Sequence, residues 1–359
     1  MSPSAAKVRK SRSSTDRHAT SSLVAETLEE YGAMTREALA TYLPDGYPGR
    51  HLYDILSDYP RRPGKMMRPS ICIATARAFG ASPGEAVRSA VAIELLHNAM
   101  LVHDDIQDGS ELRRGSPTLH TLHGVPLAIN AGDALFLLSL RPLLDNVGLV
   151  GGVMGLRILR EMETVAWHSL EGQAIELGWI RENTLELSDA DYLTMVLKKT
   201  CWLATIHPSR MGTLIATRGA IDLDRCIRFG FFLGAAFQIQ DDLLNLDGDP
   251  HAYGKELSGD LLEGKRTLML IHVLANCTQA ERGRLSSMLA QPRNGRASRD
   301  VLWLRERMDA YGSIDYARQV AHGLAGAAQH EFENVFGHLP DSRDKQFLQA
   351  LPVWVIERN

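Results

Sequence analysis

Apolar residues recur at helical spacing along almost the whole chain, while the period-two alternation of a strand bounded by hairpin turns is hard to find. Leu23, Leu28, Tyr31, Met34 and Leu39 share one helical face. Residues 85–108 predict one long helix rich in Ala, Leu, Val and Ile. The pattern predicts further helices over 127–146, 150–180, 188–199, 203–218, 222–246, 262–276, 297–310 and 313–336. Gly and Pro punctuate the breaks at Pro60–Gly64, Gly80–Pro83, Gly109–Pro117 and Asp247–Gly254, and Gln291–Arg296 is a polar loop. No short repeat recurs at a fixed period, which argues against a solenoid. The expectation is an all-α fold, a large single-domain helical bundle over residues 21–359. Residues 1–20 are rich in Ser, Lys and Arg (Lys7, Arg9, Lys10, Arg12, Arg17) and read as a disordered basic tail.

Composition excludes some functions. Apolar residues make up 45% of the 359, enough for a large core, and charged residues 23%. The net charge of −4 gives no footprint for nucleic acid. Cys72, Cys201, Cys226 and Cys277 are scattered, so neither a zinc ribbon nor a disulfide framework is expected, and a cytoplasmic setting fits. No apolar run reads as a membrane span, and the N-terminus lacks the apolar core of a secretory signal.

Two of the predicted helices end in paired aspartates. In the first, Asp104, Asp105 and Asp108 follow His97, and Asp104 and Asp108 lie on one face. Three carboxylates within five residues repel one another and oppose the dipole at a helix C-terminus, so positive charge is expected nearby. In the second, Gln238, Asp241, Asp242 and Asn245 share a face beneath the apolar stretch Gly230–Phe237. Either motif alone equally fits a solvated acidic helix end. Together they form two carboxylate walls suited to sharing Mg²⁺ with phosphate oxygens, since Mg²⁺ takes oxygen ligands and uses few protein carboxylates. Basic residues flank both: Lys65 and Arg68, Arg113 and Arg114, Lys198 and Lys199, Lys255, and Lys265 with Arg266. Any one of these alone reads as solvated surface charge. Elsewhere the bland readings hold: His120 and His123 lack further zinc ligands, residues 248–250 lack a calcium-loop pattern, Trp167-His168-Ser169 has no triad context, and no dinucleotide or P-loop motif occurs.

Taken in order, the motifs resemble a known family. Gly64-Lys65-x-x-Arg68-Pro69 comes first, and Glu94-Leu-Leu-His97 leads to Asp104-Asp105-x-x-Asp108. Arg113-Arg114-Gly115, Pro117-Thr118, Gly172-Gln173 and Lys199-Thr200 follow. Phe237-Gln238-x-x-Asp241-Asp242, Gly254-Lys255 and Asp260-Leu-x-Glu-Gly-Lys265-x-Thr267 complete the series. Residues 60–275 thus resemble the trans-isoprenyl diphosphate synthases, or polyprenyl synthetases, and among them the geranylgeranyl diphosphate synthases.

The resemblance implies an isoprenoid synthase-like bundle with a central apolar cavity, a homodimer, and three Mg²⁺ ions per active site. It implies Mg²⁺-dependent head-to-tail condensation of isopentenyl diphosphate with dimethylallyl, geranyl or farnesyl diphosphate, ending at geranylgeranyl diphosphate; a farnesyl or longer product is the alternative. In this reading Gly64, Lys65, Arg68, His97 and Arg114 hold isopentenyl diphosphate. Asp104, Asp105, Asp108, Asp241 and Asp242 bind Mg²⁺ on the allylic diphosphate, which Arg113, Lys199, Lys255 and Lys265 also contact. Thr200 and Gln238, with Lys199, are the catalytic set, their oxygens near the developing allylic cation. Leu96, Ala99 and Met100 set chain length, although on an ideal helix Ala99 points off the aspartate face. The chain departs from the pattern at Pro63, Met66, Asn245 and Met269. Two rivals remain. A class I terpene cyclase has no use for Lys65, Arg68 and His97, and a non-catalytic regulatory subunit is expected to lose aspartates this chain keeps.

Overall fold

The computed structural model describes residues 14–247 and 258–358. Helix α1 spans Ser14–Ala40, α2 Tyr53–Arg61, α3 Met67–Ala78 and α4 Pro83–Asp108. A two-residue hairpin follows, β1 Leu112–Arg113 with β2 Ser116–Pro117. Then come α5 Leu119–His123, α6 Val125–Leu138, α7 Arg141–Val150, α8 Gly152–Arg181 and α9 Asp189–Val196. A π-helical stretch, Leu197–Ile206, joins α9 to α10 at His207–Thr217, and α11 runs from Arg225 to Asp247. The remaining helices are α12 Gly259–Glu263, α13 Leu268–Asn276, α14 Gln279–Leu289, α15 Ser298–Ala310, α16 Ser313–Phe336 and α17 Arg343–Glu357. The hairpin is the only sheet among the described residues.

The apolar stripes account for the packing. On α1, Val24, Leu28, Tyr31 and Leu39 are buried at helical spacing. α4 packs against α1, α3, α6 and α7, and α11 lies along α16 and the π-helical stretch. One large apolar core runs through most of the bundle. A second, smaller core fills the seam between α2, α4 and α6, around Leu56, Leu95, Val102 and Leu135.

Several boundaries differ from the sequence expectation. α1 begins at Ser14, within the stretch that the sequence reads as a tail. Residues 1–13 lie outside the described residues. The predicted 127–146 helix divides at Ser139–Leu140, with Pro142 in the first turn of α7. The 262–276 helix divides at Gly264, which takes φ 73°. α2 and α17 each carry an internal proline, Pro60 and Pro352, which reads as a break in sequence alone.

By length and composition alone, Val125–Val150 is apolar enough to cross a membrane, with mean hydropathy 1.4 over its most apolar window, although the break at Ser139–Leu140 divides it into α6 and α7. Asp133 and Arg141 interrupt the run without lowering the average far enough. Only 39% of its most apolar window is buried inside the bundle. Ile129, Leu137, Leu144 and Leu149 are exposed there, and Val153, Leu156, Trp167 and Leu170 extend the exposed apolar face along α8.

Candidate active site

α4 carries the first aspartate motif at its C-terminus. Pro83 and a capping box between Ser82 and Glu85 start the helix. Gly109, at φ 63°, ends it, and the Ser110 and Gly109 N–H groups donate to the Asp105 and Ile106 carbonyls. The expected positive charge is present, but each aspartate meets it differently. Asp105 is fully buried; it accepts from Arg113 Nε at 3.0 Å, from Arg113 Nη2, and from the Tyr59 hydroxyl at 2.6 Å. Asp108 pairs with Lys265 at 2.7 Å. Asp104 faces the cavity, with Lys199 Nζ at 3.7 Å.

The hairpin after α4 aims Arg113 and Arg114. Arg114 and Gly115 take φ 54° and 75°, the left-handed pair that a tight hairpin turn requires. Arg62 fastens the turn by donating to the carbonyls of Arg113 at 2.8 Å and Pro117 at 2.7 Å. Gly64 gives Arg114 its room: a Cβ there would meet the guanidinium carbon at 3.0 Å. Arg114 donates to the Tyr59 and Arg62 carbonyls at 3.2 and 3.3 Å.

Lys65, Arg68, His97 and Arg114 line one side of the cavity, and Glu94 is the buried carboxylate among them. Burial opposes the Glu94 charge, but His97, Arg114 and Arg68 hold its carboxyl below the usual value. Burial lowers Arg68 to about 10 despite Glu94. Burial and the Arg68 charge lower His97 to about 4, leaving the imidazole neutral at pH 7. Lys65 is also lowered, by burial and by Arg358. Clustered, partly desolvated cations of this kind are the electrostatic signature of an anion site.

The π-helical stretch and α11 form the opposite wall. Thr200 donates to Gln238 Oε1 at 2.8 Å, Gln238 Nε2 donates to Asp242 at 2.7 Å, and the Tyr192 hydroxyl donates to Asp242 at 2.8 Å. Lys199 pairs with Glu176. Burial opposes the Lys199 charge, but Asp104 and Glu176 outweigh it and raise the ammonium. Asp242 is raised well above the carboxylate range by burial and then by Asp260. Asn245 is buried and accepts from the Asp260 N–H at 3.1 Å, so it holds the loop that brings Asp260 to the cavity.

These walls enclose one cavity of about 350 Å³. Lys65, Arg68, His97, Asp104, Arg113, Arg114, Lys199, Thr200, Gln238, Asp241, Asp242 and Lys265 all line it. Gly64 stands behind Arg114, and Asp105 and Asp108 stand behind the lining. Lys255 lies outside the described residues. Leu96 lines a second, apolar cavity of about 310 Å³ between α4, α6 and α8. Met100 packs against the large core. Ala99 faces the α4–α6 seam and lines neither cavity, as its position off the aspartate face requires. Sequence reading missed Tyr59, Arg62, Glu176, Tyr192, Asp260 and Arg358. Of these, only Asp260 stood in a recognised motif; the others come together through tertiary packing.

Known proteins share this fold. Residues 49–303 match the polyprenyl synthetase family. The chain belongs to that family. A short chain isoprenyl diphosphate synthase from Methanothermobacter thermautotrophicus is 31% identical, over 93% of this chain and 98% of the relative. The geranylgeranyl pyrophosphate synthetase structure from Pyrococcus horikoshii is also 31% identical, with TM-score 0.81, covering 94% of this chain and 99% of that one. A Caulobacter crescentus polyprenyl synthase, solved with calcium and isoprenyl diphosphate, is 25% identical with TM-score 0.81, covering 97% of this chain and 99% of that one. Other relatives are named geranylfarnesyl and octaprenyl diphosphate synthases. This polyprenyl synthetase is therefore a prenyltransferase, a trans-isoprenyl diphosphate synthase of helical fold. Its site suits the divalent ions its family uses. Asp104, Asp241, Asp242 and Asp260 offer only oxygen, as a hard cation requires, and burial with the neighbouring Asp260 raises the Asp242 carboxyl.

Proposed function

We propose that this synthase condenses isopentenyl diphosphate with dimethylallyl, geranyl or farnesyl diphosphate, using three Mg²⁺ ions per site, to give geranylgeranyl diphosphate. One observation carries the reading: a single cavity has a cation-rich side at Lys65, Arg68 and Arg114 and a carboxylate-rich side at Asp104, Asp241, Asp242 and Asp260. The first binds a diphosphate directly. The second binds one through metal. Of the five expected metal carboxylates, Asp104, Asp241 and Asp242 face the cavity and are the proposed first ligands; Asp108, paired with Lys265, stands just behind them, and Asp105 keeps Arg113 in place.

When bound, the ions neutralise charge gathering on the departing allylic diphosphate. Lys199 and Lys265, held protonated by their carboxylate neighbours, add fixed positive charge on that side. Thr200 and Gln238 turn oxygen dipoles toward the reacting carbon. Leu101, Val196 and Phe237 keep that space apolar, so water does not capture the cation. Neutral His97 orients isopentenyl diphosphate by hydrogen bonding, and Arg68 and Arg114 clamp its phosphates. The released diphosphate takes the final proton.

Leu96 and Met100, below Asp104 on α4, are the proposed length-setting pair. The exposed apolar face of α6, α7 and α8 supports a homodimer. Incubation with labelled isopentenyl diphosphate, each allylic diphosphate and Mg²⁺, followed by mass analysis, tests the reaction. Absence of label from every prenyl product would sink it.

A further inference from the structure

Three glycines face the π-helical stretch from two sides. A Cβ on Gly172 of α8 would lie 2.1 Å from the Lys199 backbone nitrogen and 2.5 Å from its Cα. A Cβ on Gly234 of α11 would lie 2.7 Å from Thr205 Oγ1 and 2.8 Å from the Cys201 Cα. A Cβ on Gly230 would lie 2.8 Å from the Ile206 Cα. None takes positive φ, so turn geometry does not explain them. Glycine inside a helix costs roughly 0.5–1 kcal/mol relative to alanine. Gly178, also on α8, meets nothing within 4 Å, so the close approach belongs to these sites and not to α8 as a whole.

The geometry explains the cost. A π-turn is wider than an α-turn and is found mostly where function needs a side chain re-aimed. Here the wide turn carries Lys199 and Thr200 and is gripped between α8 and α11. We propose that Gly172 and Gly234 are positioning residues, whose missing side chains seat the π-helical stretch so that Lys199 and Thr200 face the diphosphate cavity. This rests on the reading of Lys199 as a ligand of the allylic diphosphate. Adding a methyl at Gly172 forces backbone, not a flexible side-chain tip, from 2.1 Å out to ordinary contact at 3.4 Å. Lys199 moves with that backbone. Lys65, Arg68 and His97 stand on other elements and stay in place.

The full-length Gly172→Ala variant tests this beside Gly178→Ala. A displacement of about 1 Å is expected to lower kcat on the order of 10²-fold. Affinity for inorganic pyrophosphate with Mg²⁺, read by calorimetry, falls about tenfold through the lost charged contact. The KM for the allylic substrate rises, while the KM for isopentenyl diphosphate and the circular dichroism spectrum stay as in the parent. Gly178→Ala keeps parent values throughout. A merely structural role moves both KM values together or neither. Parent-like kcat and pyrophosphate affinity in Gly172→Ala, or an equal loss for both substrates, overturns the proposal. If Gly172→Ala does not fold, Gly234→Ala decides by the same readouts, because its Cβ meets the Thr205 hydroxyl at 2.7 Å and the Cys201 Cα at 2.8 Å, a less severe approach than 2.1 Å to backbone. If the parent itself incorporates no isopentenyl diphosphate, the functional reading fails, and the pyrophosphate titration still reports on the seating of Lys199.

Discussion

Arg358 Nη2 lies 3.2 Å from the Asp241 carboxylate, joining the end of the last helix to the second aspartate motif. The same nitrogen donates to the Phe237 carbonyl at 3.0 Å, and the guanidinium stacks 4.0 Å from the Phe237 ring centre. Arg358 lines the cavity beside Lys65, whose ammonium is lowered by burial and then by the Arg358 charge. A cation so placed serves an incoming diphosphate and competes with metal for Asp241. A charged hydrogen bond is worth about 1.5–3 kcal/mol. Arg358→Ala is therefore expected to lower kcat/KM for isopentenyl diphosphate roughly 10- to 100-fold. Arg358→Lys keeps the charge but not the stack and should recover part of the loss. Steady-state kinetics decide; an unchanged kcat/KM would reduce Arg358 to a tether for the chain end.

Asp104 and Asp105 are neighbours in sequence with opposite surroundings. Asp104 faces the cavity with, among the described residues, a single ion pair, to Lys199. Asp104→Ala should lower kcat on the order of 10²–10³-fold, as loss of one preorganised charge does, with little change in melting. Asp105→Ala leaves Arg113 and Tyr59 buried without their partner, and breaking such a pair costs about 3–5 kcal/mol. The unfolding midpoint should drop sharply. Matching phenotypes for the two variants would refute the distinction.

The cavity-lining residues were mostly legible in the sequence because they sit in short motifs at helix ends, where spacing alone sets the face. What was not legible depends on tertiary contact. Tyr59 reaches Asp105 across 46 residues, and Tyr192 reaches Asp242 across 50. Neither stands in a motif. A proline misled the helix reading at Pro60, which the sequence places in a break and which lies buried inside α2. Asn245 stood out in the sequence only as a departure from the motif; it fixes the Asp260 N–H, a role visible only once the loop folds back.

Chain length should respond to α4 in a face-dependent way. Met100 is partly buried beneath Asp104, and Leu96 lines the apolar cavity another turn down. Met100→Phe is expected to shorten the product, read by mass analysis of the prenyl chains. Ala99 instead packs in the α4–α6 seam with Leu95, Val102 and Leu135. Ala99→Phe should overpack that seam, costing about 1–3 kcal/mol in denaturant unfolding. A shortened product from Ala99→Phe with parent stability would put the tunnel floor back at that position.

His207 couples stability to pH. Its imidazole is fully buried, neither ring nitrogen has a hydrogen-bond partner among the described residues, and burial followed by the Arg210 charge lowers it to about 3. In the unfolded chain the group titrates near about 6.5. The folded state therefore resists protonation and the unfolded state accepts it. The contribution of neutral His207 is fully present above about 6.5 and is lost as pH falls toward the folded value. The full span corresponds to roughly 5 kcal/mol. His207→Phe removes the titration while keeping an aromatic volume. Urea unfolding from pH 7 to pH 4 should show a flatter decline in the variant than in the parent. Parallel declines would mean that His207 is already protonated, or partnered, in the folded protein.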